Sequence, residues 1–262
     1  MTGFPPDLYA GTAEYYERFR PRYPDFMLAE LRGRVGMSGT LLDLACGPGQ
    51  IAIPMAPYFE RVLAIDLEPD MIDVGRAAAD RAGLTNIRWQ VGRAEDLTLE
   101  PGSIDLLTIG SAFHRLERGV IAARVKGWLS PGGALIVTGY GPAPDSVEPE
   151  PPWKDIMSTV VMKWTGPLSE AARRALSGPS HGELLESAGY AIERYDCTVP
   201  HRWTVDELVG LAFSISVSSK QQLGDRADAF EAELRSALLD YDGAGKYEEQ
   251  LPFFAIIARS GR

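Results

Sequence analysis

Leu41–Gly49 has the sequence LLDLACGPG, in which a short apolar run passes into a glycine-rich loop. A helical pattern follows from Gln50 to Phe59, although Pro57 is expected to shorten or kink that helix. A strand, a glycine loop and a helix in this order are typical of α/β proteins, in which ligands bind beyond the carboxyl ends of the strands. This stretch therefore predicts both the fold class and the place of the functional site.

Short apolar runs alternate with helical patterns as far as residue 139, and the connections between them are short. This alternation predicts a parallel, doubly wound sheet with helices on both faces. The five predicted strands are Thr40–Leu44, Arg61–Asp66, Asn86–Val91, Ile104–Ile109 and Ala134–Thr138. Besides the helix after the glycine loop, helices are predicted at Asp70–Ala82 and Val120–Leu129.

The alternation stops near residue 140. Gly141–Pro152 is rich in proline and acidic residues, which indicates a surface linker, and Trp153–Trp164 has helical spacing. Two further strands, Ile192–Thr198 and Phe253–Arg259, are separated by helical patterns. We expect these strands to join one edge of the sheet in antiparallel orientation. The helical insertion is expected above the carboxyl ends of the strands.

The composition is that of a globular protein with an acidic surface, since 26 Lys and Arg face 36 Asp and Glu and the net charge is -10. Such a surface repels phosphate backbones, so no nucleic-acid partner is expected. Neither a signal-peptide pattern nor an apolar run near membrane-spanning length is present, so no membrane partner is expected. Cys46 and Cys197 fit reduced thiols, which favours the cytoplasm. We find no metal-ligand spacing and expect no metal.

Two carboxylates accompany the glycine loop. Gly47, Gly49 and Ala52 match the dinucleotide pattern G-x-G-x-x-A, so a nicotinamide or flavin cofactor has to be weighed. Asp43, however, lies inside the strand end, where a charge is costly unless it meets a partner. A cationic ligand such as a sulfonium amino acid supplies that partner, whereas a pyrophosphate is repelled. Asp66 ends the second strand, where a carboxylate can accept both ribose hydroxyl protons.

The sequence resembles the class I S-adenosylmethionine-dependent methyltransferases over roughly residues 10–139, and most closely the small-molecule branch that includes trans-aconitate methyltransferase-like proteins. The resemblance is carried by Leu41–Gly49, Ala64–Asp66, Ala94–Leu97 and Leu129–Gly133. It implies a seven-stranded sheet of order 3-2-1-4-5-7-6 with strand 7 antiparallel and a helical insertion after strand 5. It also implies S-adenosylmethionine as cofactor and S-adenosylhomocysteine as product.

The same resemblance assigns residues to the cofactor. Gly47 and Gly49 would line the methionine moiety, Asp66 the ribose, Leu67 the adenine face, Ala94 and Glu95 the adenine edge, and Gly110 the methyl-donor side. The chain departs from the family pattern at Ala45, often a glycine, and at Arg93, often an aspartate, so adenine recognition falls to Glu95 or to backbone. The segment Tyr15–Tyr23 resembles a lid in which Tyr16 and Arg20 hold the cofactor carboxylate. The alternative is a docking strap with exposed charges.

The acceptor side is predicted at the end of the fourth strand. His114 there is a candidate to take a proton from a hydroxyl or an ammonium, or else it packs against Phe113 and orients the loop. Phe113, Trp153 and Trp164 are candidates to contact an apolar or aromatic substrate, although each serves equally well as core. His181 lies in a turn-rich segment and is expected at the surface.

The resulting prediction is methyl transfer from S-adenosylmethionine to a hydroxyl, carboxylate or amine of a small molecule by in-line displacement. Two alternatives stay open: an NAD(P)-binding oxidoreductase, and a non-catalytic S-adenosylmethionine-binding protein. The oligomeric state is open as well. We expect one methyltransferase domain over residues 1–262. Its predicted parts are an N-terminal lid with the first helices (1–39), the cofactor-binding core (40–139), a helical cap insertion (140–182) and the C-terminal completion of the sheet (183–262).

Overall fold

The computed structural model describes residue 5 and residues 7–36, 38–141 and 150–260. Most of the predicted linker, residues 142–149, lies outside the described residues. The sheet consists of β1 (Thr40–Leu44), β2 (Arg61–Asp66), β3 (Ile87–Val91), β4 (Ile104–Gly110), β5 (Leu129–Tyr140), β6 (Tyr190–Thr204) and β7 (Lys246–Ser260). Its order is β3-β2-β1-β4-β5-β7-β6, with β7 antiparallel to both neighbours. The predicted strand order and the antiparallel seventh strand are confirmed.

Helices cover both faces of the sheet and extend beyond it. They are α1 (Ala13–Phe19), α2 (Asp25–Val35), α3 (Ala52–Met55), α4 (Pro69–Arg81), α5 (Arg118–Trp128), α6 (Pro152–Thr165), α7 (Glu170–Ser177), α8 (His181–Ser187), α9 (Val205–Phe213), α10 (Lys220–Leu223) and α11 (Ala227–Tyr241). Within the described ranges, none of them combines the length and the apolar character that crossing a bilayer requires.

The core explains why the central strands are apolar throughout. Leu41 and Leu42 on β1 point to opposite faces of the sheet, and neither is exposed at all. Leu41 packs with Met27 and Ile72, whereas Leu42 packs in the cluster on the other face. A strand buried on both faces cannot alternate with polar residues, so its sequence is a continuous apolar run.

Three segments differ in detail from the sequence prediction. The helix after the glycine loop is one turn of α3 followed by a 3-10 turn, as expected from Pro57. Residues 130–133, between the predicted helix Val120–Leu129 and the predicted strand Ala134–Thr138, lie within β5 as an irregularity, since the register with β4 shifts there. The edge strands β6 and β7 are much longer than predicted. The outer strand, β6, alternates between partly buried and exposed residues, so no apolar run marks its full length in the sequence.

The extra length of β6 and β7 forms a ribbon that carries the cap. Trp203 and Tyr247 near its end are buried in a third apolar cluster, which also contains Trp153 of α6, Phe213 of α9 and Phe230 of α11. The cap is therefore built from the insertion after β5 and from the helices between β6 and β7. Residues distant in sequence thus share one core above the sheet.

Candidate active site

A pocket opens at the carboxyl ends of β1, β2, β3 and β4, the edge at which open α/β sheets bind their ligands. The residues that follow these strands form most of its wall, and the N-terminal segment completes it. We call this space the main pocket. Its lining residues are Pro5, Leu8, Tyr9, Tyr16, Ala45, Gly47, Asp66, Leu67, Glu68, Met71, Gly92, Arg93, Ala94, Glu95, Gly110, Ser111, Ala112, Arg115 and Leu116.

The glycine loop after β1 has left-handed backbone at Ala45 (φ 55°), Gly47 (φ 52°) and Gly49 (φ 85°). Gly47 lines the main pocket, and a Cβ there would lie 3.9 Å from the ring of Tyr16. A Cβ on Gly49 would instead lie 2.5 Å from Trp89 of β3. Gly47 therefore gives a ligand access to the backbone, while Gly49 allows the loop to pack against the sheet.

Asp66, at the end of β2, is fixed by backbone groups. Its Oδ2 accepts a hydrogen bond from the Gly47 N–H at 2.7 Å, and its Oδ1 accepts one from the Glu68 N–H at 2.9 Å. Burial raises the pKa of this carboxyl above its ordinary value, although both hydrogen bonds act in the opposite direction. The carboxylate is thus oriented in the pocket before any ligand arrives.

A smaller cavity adjoins the main pocket behind the glycine loop, and Tyr16, Ala45, Gly47 and Gly110 line both spaces. In the smaller cavity, Asp43 accepts hydrogen bonds from the Thr108 hydroxyl at 2.7 Å and the Ala52 N–H at 3.0 Å. Burial raises the pKa of Asp43 to about 7. The amide nitrogen of Gln50 has no hydrogen-bond partner within the described part of the chain. The cavity therefore suits a ligand that brings a positive charge and a hydrogen-bond acceptor.

The loop after β3 carries charges that are already engaged. Oε1 of Glu95 accepts a hydrogen bond from the Glu117 N–H at 3.2 Å, and Nη2 of Arg93 lies 3.6 Å from Oε2 of Glu95. Ala94 between them is buried. Both charged side chains line the main pocket. An aromatic base lying here would meet the Ala94 backbone and one carboxylate that is already paired with an arginine.

The chain resembles known methyltransferases. Residues 41–133 match the family model described as a methyltransferase domain. A methyltransferase of Dictyostelium discoideum is 29% identical over 136 residues, 52% of this chain and 49% of that protein. A ubiquinone/menaquinone biosynthesis C-methyltransferase of Rubrivivax gelatinosus is 37% identical over 97 residues, 37% of each chain. The YcgJ protein of Bacillus subtilis has a similar fold (TM-score 0.56, 17% identity, 91% of this chain and 100% of that one).

The matched segment, 41–133, supplies most of the residues of the main pocket. This segment is identified as a methyltransferase domain, and the chain resembles the class I S-adenosylmethionine-dependent methyltransferases. The resemblance points to no particular branch of that class. The chain spans about half, or less, of the length of the curated relatives named above.

S-adenosylmethionine is the cofactor of this class, and the residues of the two spaces are compatible with it. The Asp66 carboxylate can accept hydrogen bonds, as a ribose requires, and Asp43 and Gln50 offer a carboxyl group and a hydrogen-bond donor, as an amino acid end requires. A dinucleotide fits worse. Asp43 and Asp66 would repel a pyrophosphate, and Gly49, part of the dinucleotide pattern, is used to accommodate Trp89.

The structure brings together most of the predicted cofactor residues. Those that line the main pocket are Tyr16, Gly47, Asp66, Leu67, Ala94, Glu95 and Gly110, and Asp43 lines the adjoining cavity. Gly49 packs against Trp89 and Arg20 points toward the end of β5, so neither lines these two spaces. Their assignment to the cofactor therefore lacks the support that the other residues have.

The three aromatic side chains predicted to contact the acceptor lie away from the main pocket. Phe113 is buried in the core cluster beside α5. Trp153 is buried in the cap, and Trp164 donates a hydrogen bond from its indole nitrogen to Glu233 at 3.0 Å. The apolar spacing of Trp153 and Trp164 on α6 places both side chains at the core of the cap. A substrate surface would have the same spacing, so the sequence pattern does not distinguish the two.

His114 lies in a 3-10 turn directly after β4, between pocket residues but outside the pocket lining. Burial, together with the nearby Arg115, lowers its pKa to about 4. His181 at the start of α8 is partly buried rather than exposed at the surface, and burial and Arg118 lower its pKa to about 4 as well. Both imidazoles are therefore neutral near pH 7.

Several pocket residues were missed by sequence reasoning. The Tyr9 N–H donates to Oε1 of Glu68 at 2.9 Å, and the Arg115 guanidinium lies 4.6 Å from the centre of the Tyr9 ring. Ser111 has a φ of 51°, rare for a non-glycine residue, and its Oγ lies 3.3 Å from the Tyr23 hydroxyl. Glu68 could have been found from sequence, because it is an acid two positions after Asp66. No local pattern indicates the positive φ of Ser111.

Proposed function

We propose that this protein transfers the methyl group of S-adenosylmethionine to a small-molecule acceptor by in-line displacement. The observation that carries the proposal is the carboxylate of Asp66, held by the Gly47 N–H inside a pocket made by four consecutive parallel strand ends. S-adenosylmethionine supplies an already activated methyl group when bound. The protein then has to position donor and acceptor and exclude water.

Each part of the cofactor has matching residues in this proposal. Asp66 accepts hydrogen bonds from the ribose hydroxyls. Leu67 lies against the adenine face, and the backbone of Ala94 meets the adenine edge. Asp43 and Gln50 face the amino acid end, because both line the cavity behind the glycine loop. The carboxylate of Asp43 is favoured when a cation lies nearby, which offsets the penalty of its burial.

The N-terminal segment excludes water from the donor side. Pro5, Leu8 and Tyr9 line the main pocket, and the Tyr9 N–H is held by Glu68. Tyr16 on α1 contacts the glycine loop. We therefore propose residues 1–39 as the lid, 40–139 as the cofactor core and 140–182 as part of the cap. Residues 183–262 complete the sheet and, through α9 and α11, also contribute to the cap.

His114 is proposed as the base for acceptors that lose a proton. Its neighbours Ala112 and Arg115 line the main pocket, and the imidazole is neutral at pH 7. Burial and Arg115 lower its pKa to about 4, which makes it a weak base in the free protein. A carboxylate acceptor is already ionised and requires no base. His114 is therefore needed for hydroxyl or amine acceptors alone. We further propose that the protein belongs to the small-molecule branch, that it has no nucleic-acid partner and that it works in the cytoplasm.

Parallel calorimetric titrations with S-adenosylmethionine, S-adenosylhomocysteine and NADH test the cofactor. We expect micromolar affinity for the first two and no heat with NADH. Binding of NADH alone would make the protein an oxidoreductase. A screen of hydroxyl, carboxylate and amine acceptors, read as formation of S-adenosylhomocysteine, tests the reaction. Cofactor binding without turnover on any acceptor would leave a binding protein instead.

A further inference from the structure

A cleft lies between helix α1 of the proposed lid and helices α9, α10 and α11 of the cap, and we call it the lid–cap cleft. Its volume is about 370 Å³, which is in the range of small-molecule sites. It shares no lining residue with the main pocket or with the cavity behind the glycine loop. The charged side chains that line it are Glu14, Arg18, Asp206, Lys220, Glu231 and Arg235.

The apolar wall of the lid–cap cleft is made by both the lid and the cap. A Cβ on Gly210 of α9 would lie 2.4 Å from the Phe19 ring, so glycine is what lets this ring pack on α9. The Tyr15 ring stacks on Phe19 with 5.9 Å between the ring centres and lies 5.4 Å from the centre of Phe213. Tyr15 and Phe19 stay partly exposed. They therefore offer ring surface to a molecule in the cleft.

Two cations of the cleft lie over these rings. The Arg18 guanidinium is 4.9 Å from the centre of Phe19, and Nζ of Lys220 is 5.6 Å from the centre of Tyr15. Neither cation forms an ion pair with another residue of the described ranges. Glu14 lies one turn before Arg18, a spacing that favours an ion pair, yet these two side chains do not form one. Both cations are thus available to an anionic group of a ligand.

The opposite charge is in excess on the α9 and α11 side of the cleft. Arg235 donates to Asp206 at 2.5 Å and to Glu231 at 2.9 Å, so one cation is shared by two carboxylates. Glu14 on α1 adds another negative charge. A simple anion or a simple cation would therefore meet like charges as well as opposite ones in this cleft. A molecule that carries both charges finds an opposite charge for each.

We propose that the lid–cap cleft is an effector site for a zwitterion with an apolar body, of the class of the aromatic α-amino acids. Arg18 and Lys220 bind its carboxylate, and Glu14 binds its ammonium group. The apolar body of the ligand packs on the ring surface of the lid. The site is separate from the proposed methyl transfer and takes no part in its chemistry.

Helix α1 connects this site to the cofactor. Tyr15 and Phe19 face the lid–cap cleft, whereas Tyr16, on the other side of the helix, lines both cofactor spaces and faces Gly47. A ligand that contacts α1 and α10 together holds the lid on the cap and keeps Tyr16 against the glycine loop. Coupling between two sites is reciprocal, so the ligand and the cofactor each raise the affinity of the other. This consequence rests on the proposed lid and cofactor assignments.

The first arm of the test uses L-phenylalanine as the probe, titrated by calorimetry into free wild type and into wild type saturated with S-adenosylhomocysteine. Two counterparts each lack one charge: 3-phenylpropionate has no ammonium group, and 2-phenylethylamine has no carboxylate. We expect phenylalanine to bind in both states and each counterpart to bind at least tenfold more weakly. Phenylalanine and S-adenosylhomocysteine should raise each other's affinity by about fivefold or more.

The second arm removes the two cations in the double variant Arg18→Gln/Lys220→Gln. Both side chains are exposed, so the variant should fold, and its binding of S-adenosylhomocysteine checks that it does. The matched control is Arg22→Gln/Lys246→Gln, which loses the same two charges at exposed positions outside the cleft. We expect the affinity for phenylalanine to fall at least tenfold in the first variant and to stay within about twofold of wild type in the control.

The inference is overturned if phenylalanine does not bind, if either counterpart binds equally well, or if Arg18→Gln/Lys220→Gln keeps the affinity of wild type. Competition between phenylalanine and S-adenosylhomocysteine would place the amino acid in the cavity with Asp43 and would overturn it too. An affinity for S-adenosylhomocysteine that bound phenylalanine leaves unchanged would overturn the effector role. None of these results touches the proposed function. That proposal fails if wild type binds no S-adenosylhomocysteine, and the titrations of the free protein then still test the cleft.

Discussion

The Asp66 carboxylate and the Gly47 backbone N–H are joined by a hydrogen bond of 2.7 Å, so the end of β2 fixes the loop that follows β1. The second carboxylate oxygen accepts the Glu68 N–H, which fixes the turn into α4. One side chain thus orients two of the loops that form the pocket. The carboxylate is therefore preorganised for the proposed bonds to a ribose, and ordering the loop adds no entropy cost to ligand binding.

Asp66→Ala is expected to weaken S-adenosylhomocysteine binding by well over 1 kcal/mol, on the order of tenfold or more, because a charged contact to the ribose and the support of the glycine loop are lost together. Calorimetry measures the affinity. Asp80→Ala is the matched control, since Asp80 is an exposed acid of α4. Equal affinity in Asp66→Ala and Asp80→Ala would refute the ribose assignment.

Asp43→Asn is expected to flatten the pH dependence of S-adenosylmethionine binding. Burial raises the pKa of Asp43 to about 7, so the free protein carries a proton there below pH 7. A cationic ligand favours the ionised form, and expelling the proton costs about 1.4 kcal/mol for each pH unit below the pKa. Wild-type affinity should therefore rise severalfold from pH 6 to pH 8.

Titration of the ligand's own groups is common to wild type and Asp43→Asn, so it cancels when calorimetric affinities of the two are compared at each pH. The asparagine keeps an oxygen for the Ala52 N–H and leaves an amide facing the Thr108 hydroxyl, so the loop should keep its shape. Parallel pH profiles in the two proteins would show that Asp43 does not sense the charge of the ligand.

The parts of the site that could be predicted from sequence are local. Asp43, Gly47 and Asp66 belong to short strand–loop patterns, and the parallel sheet then brings the strand ends to one edge. The environment of Arg20 could not be predicted in this way. Its partners Tyr140 and Ser214 are 120 and 194 residues away, and only the packing of the cap on the sheet brings them together.

The same limit applies to the cap. Its core joins Trp153 and Trp164 to Phe213 and Phe230, and the helical spacing of the two tryptophans carries no information about which partner covers them. The edge strand β6 is a second example. Past Thr198 its sequence alternates only weakly between polar and apolar residues, so it does not indicate that β6 pairs with β7 as far as Thr204.

Ala45→Gly and Gly49→Ala are expected to change stability in opposite directions. Ala45 has a φ of 55°, and a left-handed conformation costs an L-residue about 1–2 kcal/mol. Glycine avoids this cost but loses more backbone entropy on folding, which cancels part of the gain. Ala45→Gly should therefore stabilise the fold by up to about 1 kcal/mol. Gly49→Ala places a Cβ 2.5 Å from Trp89 and should destabilise it by more than about 2 kcal/mol.

Denaturant unfolding measures both effects. Ala77→Gly, at an exposed helical position of α4, is the reference for a glycine substitution without strain relief and should cost about 1 kcal/mol. If Ala45→Gly destabilises as much as Ala77→Gly does, the left-handed backbone at Ala45 carries no strain.

His114→Ala is expected to lower turnover of a hydroxyl or amine acceptor by about tenfold or more while leaving cofactor affinity nearly unchanged, because the imidazole takes the proton but lines no part of the main pocket. The comparison is His201→Ala, which lies on β6. Steady-state kinetics and calorimetry give the two readouts. Equal turnover in the two variants would return His114 to packing against Phe113.

The His114–His181 pair is expected to make the fold acid-sensitive. Burial and neighbouring arginines lower both pKa values to about 4, whereas an unfolded histidine titrates near 6.5. Between these values the unfolded chain binds more protons than the folded one, so the stability supplied by the neutral pair is present above pH 6.5 and is lost as the pH falls toward 4.

Relative to the double variant His114→Asn/His181→Asn, wild type should therefore lose about 2 kcal/mol or more of unfolding free energy between pH 7 and pH 4.5. The buried carboxyls Asp43 and Asp66 titrate in both proteins and cancel in the difference, and the packing lost in the variant does not depend on pH. Urea unfolding across this range measures the difference. A constant offset between the two curves would mean that neither imidazole has a lowered pKa in the folded protein.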